Sequence, residues 1–305
     1  MKTSAEADII NKGEAPMMIK QTAEKLRAMK LPAMAAEYLR QSETPIMAAL
    51  DFDERIGMMV DAQWLSKENS RVDKLTKAAN LRLSSTCFAD IDYRPSRRLE
   101  RATIARLSDF AWVKEARNLI ITGATGCGKT WLACAFGAEA CRRGLSVAFY
   151  RTGRLLNEMA QAAGAGNIPK MLAKMKKTDI LILDDWGLAT LNPVEGRFLL
   201  EAFEDRYGEC STIFSAQIPV AKWHDLFEDS TIADAVLDRV VHNAYRITLH
   251  GQSLRADRAD GSFTNAKSEG SLNADTLAME ALEAKDPLDP SCNEPTTTED
   301  GDSSV

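Results

Sequence analysis

Eight consecutive residues, Gly123-Ala124-Thr125-Gly126-Cys127-Gly128-Lys129-Thr130, follow an apolar run and precede a stretch of helical character. Their spacing fits G-x-x-x-x-G-K-[ST], a loop whose chemistry is the holding of a nucleoside triphosphate. The glycines let backbone N–H groups converge on the β-phosphate at a helix N-terminus, where the dipole favours negative charge. Lys129 is placed to reach the β- and γ-phosphates, and the Thr130 hydroxyl to meet Mg2+. Farther along, Ile180-Leu-Ile-Leu183 reads as a buried strand ending in Asp184-Asp185. Asp184, at the strand's tip, is expected to hold Mg2+ through water, and Asp185 to orient and polarise the attacking water. These residues predict ATP and Mg2+ as ligands and hydrolysis to ADP and phosphate as the reaction.

Such a loop works only between a strand and a helix, and the flanking sequence supplies both. Asn118–Thr122 reads as a buried parallel strand and the segment from Lys129 to Cys141 as a helix. Four more apolar strands are expected at 146–150, 179–184, 211–214 and 245–249, with helical stretches between them. One of these helices opens with Asn192-Pro193, an N-cap followed by proline in the first turn, and closes near Tyr207-Gly208. Strand and helix in alternation predict an α/β core of five parallel strands covered on both faces, with ligands bound beyond the strands' carboxyl ends. Residues 107–255 are assigned to this core. Residues 17–106 form a small helical N-terminal region and a basic linker, with Leu26, Met29, Leu31, Met34 and Leu39 along one face and Pro32 marking a helix start or break.

Residues 1–16 are polar and unpatterned and are expected to be loose. Residues 256–305 carry 12 acidic and 3 basic residues and few large apolar ones. A tail of that composition cannot bury enough surface to offset its ordering entropy and is expected to be disordered, with one short helical stretch near 273–285. The tail also makes the chain acidic: the net charge is −6 overall, and setting the tail's −9 aside leaves +3 on residues 1–255. The acidic balance therefore does not argue against a nucleic-acid partner. Between Arg71 and Arg106 nine basic residues face four acidic ones, with Tyr93 beside Arg94-Pro-Ser-Arg97-Arg98. A basic stripe with an aromatic is the footprint of phosphate-backbone binding, which makes Lys74, Lys77, Arg94, Arg97 and Arg98 candidate DNA contacts; a solvated linker explains the same charges equally well. The six cysteines include no C-x-x-C pair, and no run of about 18 apolar residues is present, which points to a cytoplasmic, reduced protein without a membrane span. The spacing of Cys127, Cys134 and Cys141 is read as packing on the inner face of the loop's helix.

Several motifs taken together resemble one family. The phosphate loop, Ile180-Leu-Ile-Leu-Asp-Asp-Trp186-Gly187-Leu188, Leu237-Asp238-Arg239 through Ile247, and Gly251-Gln-Ser-Leu-Arg255 look like the IstB family, as do Leu31–Leu39 and Asp90-Ile-Asp-Tyr-Arg94-Pro95. These are transposition helper ATPases of insertion sequences, relatives of the DnaC helicase loaders within the AAA+ class. The resemblance spans about residues 20–255 and implies an AAA+ P-loop core. By position it implies that Arg239 is the arginine finger that one subunit of a homo-oligomer gives to the next, with Arg206 as the competing candidate. It also implies that Arg255 is the second sensor arginine and Gln217 the polar first-sensor residue, although relatives read Ser-Gln where this chain reads Ser215-Ala216-Gln217. Many relatives carry glutamate where Asp185 stands, and the shorter side chain predicts slow turnover, suited to a nucleotide-timed switch. Duplex DNA and a transposase are the partners implied.

A DnaC-like helicase loader is the nearest alternative, with the same core and a protein partner for the N-terminal helices. A small-metabolite kinase requires an arginine-bearing lid and a second substrate pocket, neither of which is legible here. A nucleotide-gated adaptor that never hydrolyses is compatible with aspartate at 185. His224, His242 and His250 have no metal-ligand spacing with any cysteine and are read as packing, capping or surface residues.

Overall fold

The computed structural model describes residues 5–254. Three long helices come first: α1 (Ala5–Ala28), α2 (Pro32–Glu43) and α3 (Phe52–Ala79). A linker carrying the short helices α4 (Arg101–Leu107) and α5 (Ala111–Lys114) leads to β1 (Asn118–Gly123). Then α6 (Lys129–Arg142), β2 (Val147–Arg151), α7 (Thr152–Gly164), α8 (Ile168–Lys176), β3 (Ile180–Trp186), α9 (Pro193–Glu204), β4 (Ser211–Ala216), α10 (Ser230–Val241) and β5 (Ala244–Leu249) follow in turn. The strands form one parallel sheet in the order β2-β3-β4-β1-β5. This is the expected α/β core of five parallel strands.

Side-chain alternation along each strand builds two cores, one on each face. Leu119 and Ile121 of β1, Ile180 and Ile182 of β3, and Ile213 of β4 pack with Leu132, Cys134, Phe136 and Cys141 of α6 and with Trp112. The residues between them, Ile120, Leu181, Leu183 and Phe214, pack on the opposite face with Leu155, Met159, Leu199 and Val236 from α7, α9 and α10. Cys127, Cys134 and Cys141 all belong to the first core, in line with the packing role expected for them.

Helix boundaries follow their caps. Asn192 Oδ1 accepts from the Val194 and Glu195 N–H groups at 3.0 Å each, and Glu195 returns a bond to the Asn192 N–H, so α9 starts where the sequence indicated. Pro32 opens α2, but Leu31 offers no capping side chain. Instead Gln63 of α3 accepts from the Ala33 and Met34 N–H groups at 3.1 and 3.2 Å, which ties α2 to α3. The helix α1 begins at Ala5, inside the segment 1–16 expected to be loose. The acidic tail, the short helical stretch expected near 273–285 and Arg255 lie outside the described residues.

Arg206, the competing finger candidate, is a core residue instead. It is 2% exposed, and its guanidinium donates to the carbonyls of Met175, Thr178 and Ser211, where the α8 end meets the start of β4. Burial brings its pKa down to about 10. A side chain held this way cannot extend toward another subunit. Its replacement by alanine removes the hydrogen bonds of a buried guanidinium to three carbonyls and is expected to destabilise the fold by about 3–5 kcal/mol, read from the shift of the denaturant midpoint.

Candidate nucleotide-binding site

The loop between β1 and α6 is held from both sides by parts of the chain far away in sequence. Leu254 N–H donates to Gly126 O at 3.0 Å. From the other side, Arg97 Nη2 donates to Cys127 O at 2.7 Å, and Lys129 Nζ reaches Ala124 O at 2.8 Å. Glycine at 128 is required twice over: its φ is +91°, and a Cβ there would lie 2.8 Å from Arg97 Nη2. With these carbonyls occupied, the loop is fixed in shape, and the backbone lies at the N-terminus of α6, where an anion is favoured. Thr125 Oγ1 donates to Gln217 Oε1 at 2.8 Å, so the residue just beyond β4 touches the loop as expected.

Thr130, at the start of α6, and Asp184, on β3, converge. The Thr130 hydroxyl lies 2.8 and 3.0 Å from the two carboxylate oxygens of Asp184, which is fully buried. The Asp184 backbone is fixed as well, because Thr152 Oγ1 at the start of α7 donates to its carbonyl at 3.0 Å. A hydroxyl beside a carboxylate is an all-oxygen donor set that fits Mg2+, the two residues supplying ligands directly or through water.

Asp185 owes its direction to a bulge. Leu183 and Trp186 are both in the core that contains α7, α9 and α10, although strict alternation would put them on opposite faces. The register of β3 on β4 shifts between these two residues, and Asp185 adopts φ +60°, a left-handed conformation that aspartate tolerates. The extra residue lets Trp186 pack among Phe203, Phe214 and Trp223 while Asp185 stays half-buried, 3.9 Å from Arg151 Nε. An acidic pair read as the end of a plain strand gave no sign of this.

The arginines separate into distinct roles. Arg239 stands in the last turn of α10, pairs through Nε with Glu204, and donates from Nη1 to Ala235 O at 2.7 Å. Asn118 Nδ2 donates to Arg239 O at 3.4 Å, which puts Arg239 beside the first residue of β1. The phosphate loop leaves the far end of that strand, about 16 Å away at the rise of an extended chain. Arg239 is therefore remote from the phosphate loop of its own chain.

Arg97 corrects an expectation. Assigned to the DNA stripe, it is 5% exposed, lies under the phosphate loop, and contacts Asp92 through its backbone O at 3.2 Å and Oδ2 at 3.7 Å. Its Nε makes no bond among the described residues, and its Nη groups are held by the loop and the linker. Lys74 and Lys77 on α3 are exposed, as are Arg98 and Arg94, whose Nε donates to Asp92 Oδ2 at 2.9 Å. The brace was invisible in the sequence because an arginine in a basic run reads as surface. Arg97→Gln removes a charge-assisted bond to the loop and is expected to weaken binding of an ATP mimic about tenfold, measured by fluorescence titration.

Relatives of similar sequence are named for insertion sequences. A protein of Sinorhizobium fredii named for an insertion sequence and for ATP binding is 39% identical over 79% of this chain and 98% of its own length. One of Pseudomonas fluorescens, named for insertion sequence IS1162 and ATP binding, is 41% identical over 67% of this chain and 88% of its own. Among solved structures, the DnaC helicase loader matches 48% of this chain and 86% of its own, with 22% identity and a TM-score of 0.42. The family model described as IstB-like ATP binding protein matches residues 24–261, and the chain belongs to that family.

Proposed function

We propose that this protein is an ATP-dependent regulator of transposition that oligomerises on duplex target DNA, remodels it, and recruits or regulates a transposase. The observation that carries the reading is the convergence of Lys129, Thr130, Asp184 and Gln217 on one loop at the carboxyl edge of the sheet, in a chain of insertion-sequence kinship. Bound Mg2+ would neutralise charge on the phosphates. The chain's own groups do the rest. Lys129 binds the β- and γ-phosphates, Asp185 orients the attacking water, and Arg239 reaches the γ-phosphate held by a neighbouring subunit, because it stands at the wrong end of β1 for its own. Arg255 joins from within the subunit. Bending a duplex costs several kcal/mol, roughly 1–6 by elastic estimates, and many phosphate contacts along an assembly are a means of supplying it. Lys74 and Lys77 on α3, with Arg94 and Arg98, are the proposed contacts.

A second reading, a helicase loader, is favoured by the exposed Phe52, Val60, Trp64 and Leu65 of α3, which suit a protein partner. Sedimentation with a non-cleavable ATP mimic and a duplex separates them. Nucleotide-dependent, salt-sensitive assembly on the duplex is the expected result. Protein that stays monomeric and indifferent to DNA when saturated with the mimic sinks the transposition reading.

A further inference from the structure

The metal pair has a third member that neither motif includes. Arg82, in the turn leaving α3, brings Nη1 to 3.8 Å from Asp184 Oδ2. The backbone that delivers it is clamped. Asn80 closes α3 in the left-handed conformation, φ +50°, and Ala79 before it is fully buried. Leu81 fills the notch that Gly137 leaves in α6, where a Cβ would stand 2.9 Å from Leu81 Cδ2. The backbone N–H groups of Arg82 and Leu83 reach the Sγ of Cys134, one turn beyond Thr130 on the same helix, and burial pushes that thiol up to about 11. The Arg82 side chain is 37% exposed and borders a cleft of about 1110 Å³ between β2, the end of α3 and residues 185–191.

A guanidinium at that distance attracts the carboxylate and offsets its charge. The same carboxylate is the ligand a divalent cation needs, and two cations sharing it repel strongly at low dielectric. We propose that Arg82 is a built-in counter-ion of the metal site: it neutralises Asp184 until Mg2+ arrives with nucleotide, then turns into the adjoining cleft and releases the clamp on the last turn of α3. This rests on the nucleotide reading above and adds a route from that site to the helical region. The exposed Lys74 and Lys77 lie on that same stretch of α3.

The test uses the full chain, a fluorescent non-hydrolysable ATP analogue and a Mg2+ titration of wild type and Arg82→Gln. With the competing cation gone, half-saturating Mg2+ is expected to fall about three- to tenfold, while analogue binding in EDTA changes less than about twofold. Binding of the analogue with an unchanged or raised Mg2+ requirement overturns this proposal alone. If wild type does not bind the analogue with or without Mg2+, the nucleotide reading fails and takes the proposal with it. Should Arg82→Gln not fold, amide exchange in wild type decides: residues 78–83 are expected to exchange faster with Mg2+ and analogue than with analogue and EDTA. Equal or slower exchange overturns the proposal.

Discussion

Lys129→Ala is expected to raise the dissociation constant for ATP about 100-fold or more while leaving the fold intact. Lys129 is 8% exposed, and its ammonium is held over the loop by the Ala124 carbonyl. An ion brought to phosphate in so dry a place keeps most of its Coulomb attraction, and a hundredfold corresponds to about 2.7 kcal/mol, within reach of a charge-assisted contact. The fold of the free protein is expected to tolerate the loss. Ala124 is exposed, so its carbonyl gains water when the ammonium goes. The expected signature is a thermal midpoint close to that of wild type without nucleotide and no ATP-induced rise. A dissociation constant within about threefold of wild type removes Lys129 from the site. Asp184→Asn separates the two halves of the site. It keeps the loop, so nucleotide still binds in EDTA, but the increment Mg2+ adds should vanish.

What the sequence revealed and what it withheld divide along a physical line. Local devices were legible: the five apolar runs, the Asn192-Pro193 start of α9, the phosphate loop and the acidic tip of β3 each depend on residues within a few positions of one another. Arg97 and Arg206 were misjudged because charge predicts exposure unless something pairs with it, and the hydrogen bonds of their guanidinium groups go to carbonyls. A carbonyl acceptor has no side chain to betray it. The bulge at Asp185 escaped for a related reason. It is defined by which face Trp186 takes, and that is settled by the aromatic cluster with Phe203, Phe214 and Trp223 gathered from later elements. The contact of Arg82 with Asp184 depends on how α3 docks against α6, where Leu81 meets Gly137, a packing no local pattern encodes.

Two inactive variants mixed together should recover hydrolysis. Arg239→Ala is expected to lower assembly-stimulated turnover by about 10³-fold or more, the usual worth of an arginine at a transferring phosphoryl group, without changing ATP affinity. Lys129→Ala fails at the opposite end of β1. If a site draws its loop from one subunit and its arginine from the next, random mixing of the two variants gives about one interface in four with both parts intact, and about a quarter of the wild-type rate. An arginine acting on its own subunit's nucleotide would leave the mixture as inactive as its components. Arg239 pairs at present with Glu204, whose side chain is 58% exposed. An ion pair so open to water contributes about 0–1 kcal/mol, so exchanging that carboxylate for a neighbour's phosphate costs little, and assembly rather than local strain should set the rate. Arg239→Lys keeps the charge but loses the planar fork that spans two phosphate oxygens, and is expected to behave like the alanine variant.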